Sequence, residues 1–111
     1  MVRPNDEVVL DFLNTIVRVT SPGASDKYVY MLLSKFCEKN KEFFPFVGYI
    51  RIDMGGITVD SKLNSIQPKS VGKFLKAIIT ILFSDLFVLM IKKKINPNLA
   101  EELEYFGVNL A

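Results

Sequence analysis

The sequence predicts an α+β fold, mostly helical: two N-terminal helices, a two-stranded β-hairpin, a long apolar helix and a short C-terminal helix. Three observations carry this. Apolar residues recur at helical spacing up to residue 40, the pair Gly55-Gly56 splits an alternating run, and Lys73 to Lys94 is apolar on nearly every side of a helix. A chain of 111 residues can bury one real core but not two. The expected organisation is a single compact domain over residues 1–111, with a helical pair at 5–40, a hairpin at 48–62, the long helix at 68–94 and the short helix at 97–106.

The first helix is expected from about Asp6 to Val19, with Asn5 as N-cap and Asp6 and Glu7 at the positive end of the dipole. Val9, Phe12, Leu13, Ile16 and Val17 form its apolar face, and Ser21-Pro22-Gly23 ends it. Ser25 caps a second helix, Asp26 to Asn40, which turns Val29, Leu32, Leu33 and Phe36 inward and Lys27, Lys35, Glu38 and Lys39 outward. The two are expected to pair antiparallel.

Gly55 and Gly56 at the two turn positions set a hairpin register in which Met54 faces Ile57, Ile52 faces Val59 and Arg51 faces Asp60. That register sorts apolar from polar side chains and creates an opposite-charge pair. A two-stranded ribbon is marginal alone, so its Ile/Val/Met face must lie on helices or its free edge must pair with another strand.

Pro68 suits the first position of the long helix. At 100° per residue, Lys73, Lys76, Thr80 and Ser84 align on a polar stripe that continues as Phe87, Val88 and Ile91, so the solvent side turns apolar halfway along. Asn96 caps the last helix with Pro97 behind it, Gly107 supplies the left-handed stop, and Leu99, Leu103 and Phe106 can cover part of the apolar strip.

Composition restricts the chemistry. The chain is 50% hydrophobic and has no His, which removes the commonest general base and metal ligand and any Ser/His or Cys/His pair. A net charge of +2 is a weak footprint for nucleic acid. Cys37 is the lone cysteine, and the charged, polar start lacks a signal-peptide core, so a cytoplasmic location is expected.

A membrane span is disfavoured. Ala77 to Ile91 rises about 22 Å against a hydrocarbon core of about 30 Å, and Asp85 would cost about 2.5 to 3.5 kcal/mol at mid-depth. Asp85 reads as a residue of a fresh helix start capped by Ser84, with a functional acid as the alternative. Lys92, Lys93 and Lys94 favour a helix C-terminus and face compensation by Glu101, Glu102 and Glu104, against contact with phosphate or anionic lipid. Cys37 reads as a buried structural thiol, and Met54-Gly55-Gly56 as a turn rather than a phosphate cradle.

The function expected is a non-enzymatic regulatory or protein-interaction module, with no cofactor or metal. It self-associates as a dimer or binds a protein partner through Phe83, Phe87, Val88 and Ile91, with Lys92, Lys93 and Lys94 at the rim. The alternatives are a sensor holding a small apolar ligand between the long helix and the first two, and a winged-helix-like DNA binder with residues 48–62 as wing. The acidic residues Asp53 and Asp60 count against the wing.

Overall fold

The computed structural model describes residues 2–20, 25–82 and 85–109, with side chains for all of these except 82 and 85–89. Among them are α1 (Asn5–Thr20), α2 (Asp26–Lys39), β1 (Ile50–Asp53), β2 (Gly56–Val59), α3 (Pro68–Leu82), α4 (Asp85–Lys94) and α5 (Pro97–Tyr105). Short 3-10 helices, Pro45–Tyr49 and Ser61–Ser65, flank the hairpin. This is the expected mostly helical α+β fold, with the hairpin strands shorter than the run 48–62 and the single helix expected at 68–94 described as two, α3 and α4, on either side of residues 83 and 84. The predicted stop at Ser21-Pro22-Gly23 and the cap Ser84 lie outside the described residues, as does Phe83.

Both N-terminal helices bury the faces their periodicity marks, except that Leu32 of α2 is only half-buried. Val8, Val9, Phe12, Leu13, Ile16 and Val17 are covered in α1, and Val29, Leu33 and Phe36 in α2. In α2 the expected cap is present: Tyr28 N donates to Ser25 Oγ at 3.2 Å. Asn5 departs from expectation. It is the first residue of α1 rather than its cap, and its buried Nδ2 donates to the carbonyls of Leu63 at 3.0 Å and Ile66 at 2.7 Å. Asn64 Oδ1 in turn accepts from Asp6 N at 2.8 Å, so the start of α1 is capped from the Ser61–Ser65 segment. A side chain that satisfies two buried carbonyls is worth more there than at a solvated helix end.

The hairpin register is two residues away from the one expected. Ile50 pairs with Val59, Arg51 with Thr58, Ile52 with Ile57 and Asp53 with Gly56, which leaves Met54-Gly55 at the tip. Two local facts set this. Asp53 Oδ1 accepts from Gly55 N at 2.8 Å, closing a side-chain turn around Met54, and Gly56 has a φ of +134° while Gly55 is not in the positive region. A slip of two preserves facing, so Ile50, Ile52, Ile57 and Val59 still share the covered side while Arg51, Asp53 and Thr58 stay outside. The partners change: Arg51 faces Thr58 instead of Asp60, and Asp60 Oδ1 accepts from Lys62 N at 2.8 Å to start the 3-10 helix. Met54, expected on the covered side, is 55% exposed. The ribbon lies on the helical pair, β1 against α2 and β2 against α1.

In α3, Val71, Phe74, Leu75, Ile78 and Ile79 are buried and Lys73, Lys76 and Thr80 are exposed, as the stripe requires. Asn96 Oδ1 accepts from Asn98 N at 2.8 Å to cap α5. At the other end Val108 N donates to Leu103 O and Gly107 N to Glu104 O, with Gly107 at φ +87°, and Val108 and Leu103 are both buried. This double bond with its apolar contact is the Schellman stop. It meets α3 at Gly72, where an added Cβ would lie 1.8 Å from the Phe106 carbonyl oxygen. Only a residue without a Cβ lets these elements approach so closely.

Candidate interaction surface

The far end of α3 carries the first candidate surface. Next to Thr80, Ile81 is 64% exposed although its neighbours Ile78 and Ile79 are buried. Across the residues whose side chains are not described, Met90 is 38% exposed in α4 and Ile91 wholly buried. Ile91 therefore belongs to this chain's own core, with α4 packed on α1. Phe87 and Val88 lie in α4, but their side chains are outside the described set, and so is Phe83. Lys92, Lys93 and Lys94 are exposed in the last turn of α4, where cations suit the helix dipole. Ile81 and Met90 were missed in the sequence because the expected surface was placed on the continuation of the polar stripe, through Phe87, Val88 and Ile91, and neither residue lies on that line.

The expected rim glutamates divide. Glu101 and Glu104 are exposed, whereas Glu102 is buried and faces Arg3. Arg3 Nη2 donates to Glu102 Oε1 at 2.7 Å and to Asp11 Oδ2 at 2.8 Å, Arg3 Nε lies 3.0 Å from Glu102 Oε2, and Arg3 N donates to Oε2 at 2.8 Å. These bonds from Arg3 hold the Glu102 carboxyl below the usual carboxylate range, against the opposing pull of its burial. The Arg3 guanidinium is correspondingly raised, chiefly by Glu102. Both oxygens of the carboxylate accept from Arg3 in a structural tie across 99 residues of sequence, which is how a buried glutamate stays charged.

A second surface runs between α2 and β1. An open cleft of about 540 Å³ is lined by Ser34, Cys37, Glu38, Val47, Ile50 and Ile52 among others. It shares Ser34 and Ile52 with a smaller cleft of about 360 Å³ bounded by Tyr30, Met31 and Met54. Burial pushes the Cys37 thiol up to about 12, the direction of a structural thiol rather than a nucleophile. Above the clefts Arg51 Nε lies 3.9 Å from Asp53 Oδ2, with the two side chains 83% and 60% exposed.

The junction of α2 with α3, expected as the wall of a ligand pocket, is occupied by rings. Phe74 is in contact with Phe36, Phe44 and Phe46 at centroid distances of 6.0, 5.5 and 5.7 Å. Two of the three pairs are edge-to-face, a favourable ring geometry. Among the described residues no group of three Cys, Asp or Glu side chains is placed to hold a metal ion, and no helix is long and apolar enough to cross a membrane. No protein-family model, no curated protein and no solved structure matches this chain.

Proposed function

We propose that this protein is a non-enzymatic regulatory or interaction module that binds a protein partner or a second copy of itself, with the apolar segment shared by the end of α3 and α4 as its binding surface. The observation that supports this reading is the exposure of Ile81 at 64% and Met90 at 38%, one on each side of a stretch containing Phe83, Phe87 and Val88. Apolar side chains held in water gain by being covered, and lysines at the rim orient the approach of an acidic partner. Arg3, Asp11 and Glu102 are tied to one another at the α1–α5 junction.

The test combines light scattering after size exclusion with binding of an apolar fluorescent dye, on wild type and on Ile81→Glu/Met90→Glu. Wild type is expected to bind the dye, and the folded double variant to lose most of that binding. A wild type that is strictly monomeric at high concentration and binds no dye overturns the reading.

A further inference from the structure

The free edge of β1 has properties that the helical surface lacks. Asp60 N donates to Tyr49 O at 2.8 Å, continuing the ladder one pair beyond Ile50 and Val59. In an antiparallel ladder hydrogen-bonded pairs alternate, so Tyr49, Arg51 and Asp53 spend their backbone groups on β2. Ile50 and Ile52 turn theirs to the opposite edge. The Ile50 N–H is taken by Val47 O, leaving the Ile50 carbonyl and both backbone groups of Ile52 directed away from the ribbon. An edge strand with open groups is a template for another strand.

We infer that a second copy of this chain occupies that edge, β1 running antiparallel to β1 of its partner about a two-fold axis through Ile52. The inference rests on the interaction-module reading and assigns its self-association to the sheet edge, leaving the helical surface for a different protein. The sequence Ile50-Arg51-Ile52-Asp53-Met54 is complementary to itself in this register and no other centre does as well. Ile52 meets its own copy as a hydrogen-bonded pair, the parity the open groups require. Arg51 then faces Asp53 of the second copy and Asp53 faces Arg51, so the exposed pair of each protomer joins a ring of alternating charge. On the covered side Ile50 meets the second copy's Met54, whose amide can donate to the open Ile50 carbonyl. Met54 is 55% exposed in the monomer, and the clefts beside Ile50 and Ile52 give its thioether a place to go. The contact is isologous, so it closes at two copies.

Sedimentation velocity from about 10 µM to about 1 mM reads the equilibrium, and circular dichroism confirms folding of each variant. Arg51→Asp alone, and Asp53→Arg alone, place like charges opposite one another and are expected to weaken dimerisation about tenfold or more. Mixing the two restores it, because every cross-strand pair is then opposite in sign. Since Asp53→Arg also removes the acceptor for Gly55 N, Asp53→Asn serves beside it: the carboxamide keeps that bond, and the dimer weakens by a smaller factor. A wild-type dimer unaffected by Arg51→Asp but dissolved by Ile81→Glu overturns the edge pairing and leaves the module reading standing. A dimer that the mixed variants fail to restore also overturns it. A wild type monomeric throughout the range removes self-association altogether, and the dye measurement then decides the module reading separately.

Discussion

The junction of α1 with α5 and the seam between α2 and β1 are built on opposite terms. At the first, and at the adjoining start of α1, polar groups are answered from inside the chain: Glu102 by Arg3, the carbonyls of Leu63 and Ile66 by Asn5, and the exposed Asp6 amide by Asn64. At the second, charged side chains stand in water, a cleft stays open and the outer edge of β1 keeps backbone groups without a strand beside them. Stability is concentrated where every polar group is matched internally, and recognition is available where it is not.

Substitutions should separate the two regions. Gly72→Ala on the closed side is expected to have the largest effect, about 3 kcal/mol or more, because the new methyl group and the Phe106 carbonyl cannot share their space and the α5 stop must move. Denaturant unfolding measures it, and a loss below about 1 kcal/mol would mean that α3 and α5 separate freely. Glu102→Gln comes next, at about 2 kcal/mol, because it leaves the Arg3 guanidinium with a weaker, uncharged acceptor. A cycle with Arg3→Ala isolates the coupling; additive losses would show that the pair contributes little.

Acid provides a gentler version of the same break. The folded Glu102 carboxyl titrates below its unfolded value, so its contribution is present above the unfolded pKa and is lost as pH falls through the folded one. Wild-type stability should therefore fall between about pH 5 and pH 3 more steeply than that of Glu102→Gln. Parallel curves would place the acid sensitivity elsewhere. On the open side Arg51→Ala should change monomer stability by no more than about 0.5 kcal/mol, since the side chain is 83% exposed and its ion contact is long. A larger loss would make β1 part of the closed framework.

The open and closed sides were not equally legible in the sequence. Periodicity and caps marked α1, α2 and α5, down to Ser25, Asn96 and Gly107, because those signals are local. Alternation also sorted the hairpin faces, Met54 excepted, while missing the register, since face depends only on odd or even spacing and register depended on one bond donated by Gly55 N to the Asp53 side chain. The ties at Asn5 and Glu102 were misread as a cap and a rim charge. Nothing near Asn5 announces carbonyls at residues 63 and 66, and nothing near Glu102 announces Arg3. Gly72 did leave a trace: an isolated glycine within a helical pattern has no local use, and its use here is a close approach by another element.

The internal ties of α1 also set an order of events during synthesis. Its first turn is made early, yet Asn5 waits for partners 58 and 61 residues later and Arg3 for one 99 residues later. At the roughly 5–20 residues per second of translation, that last interval lasts on the order of 5 to 20 s. Throughout it α1 has neither its carboxylate clamp nor the helix that carries it, so the last-made part of the chain completes the fold of the first.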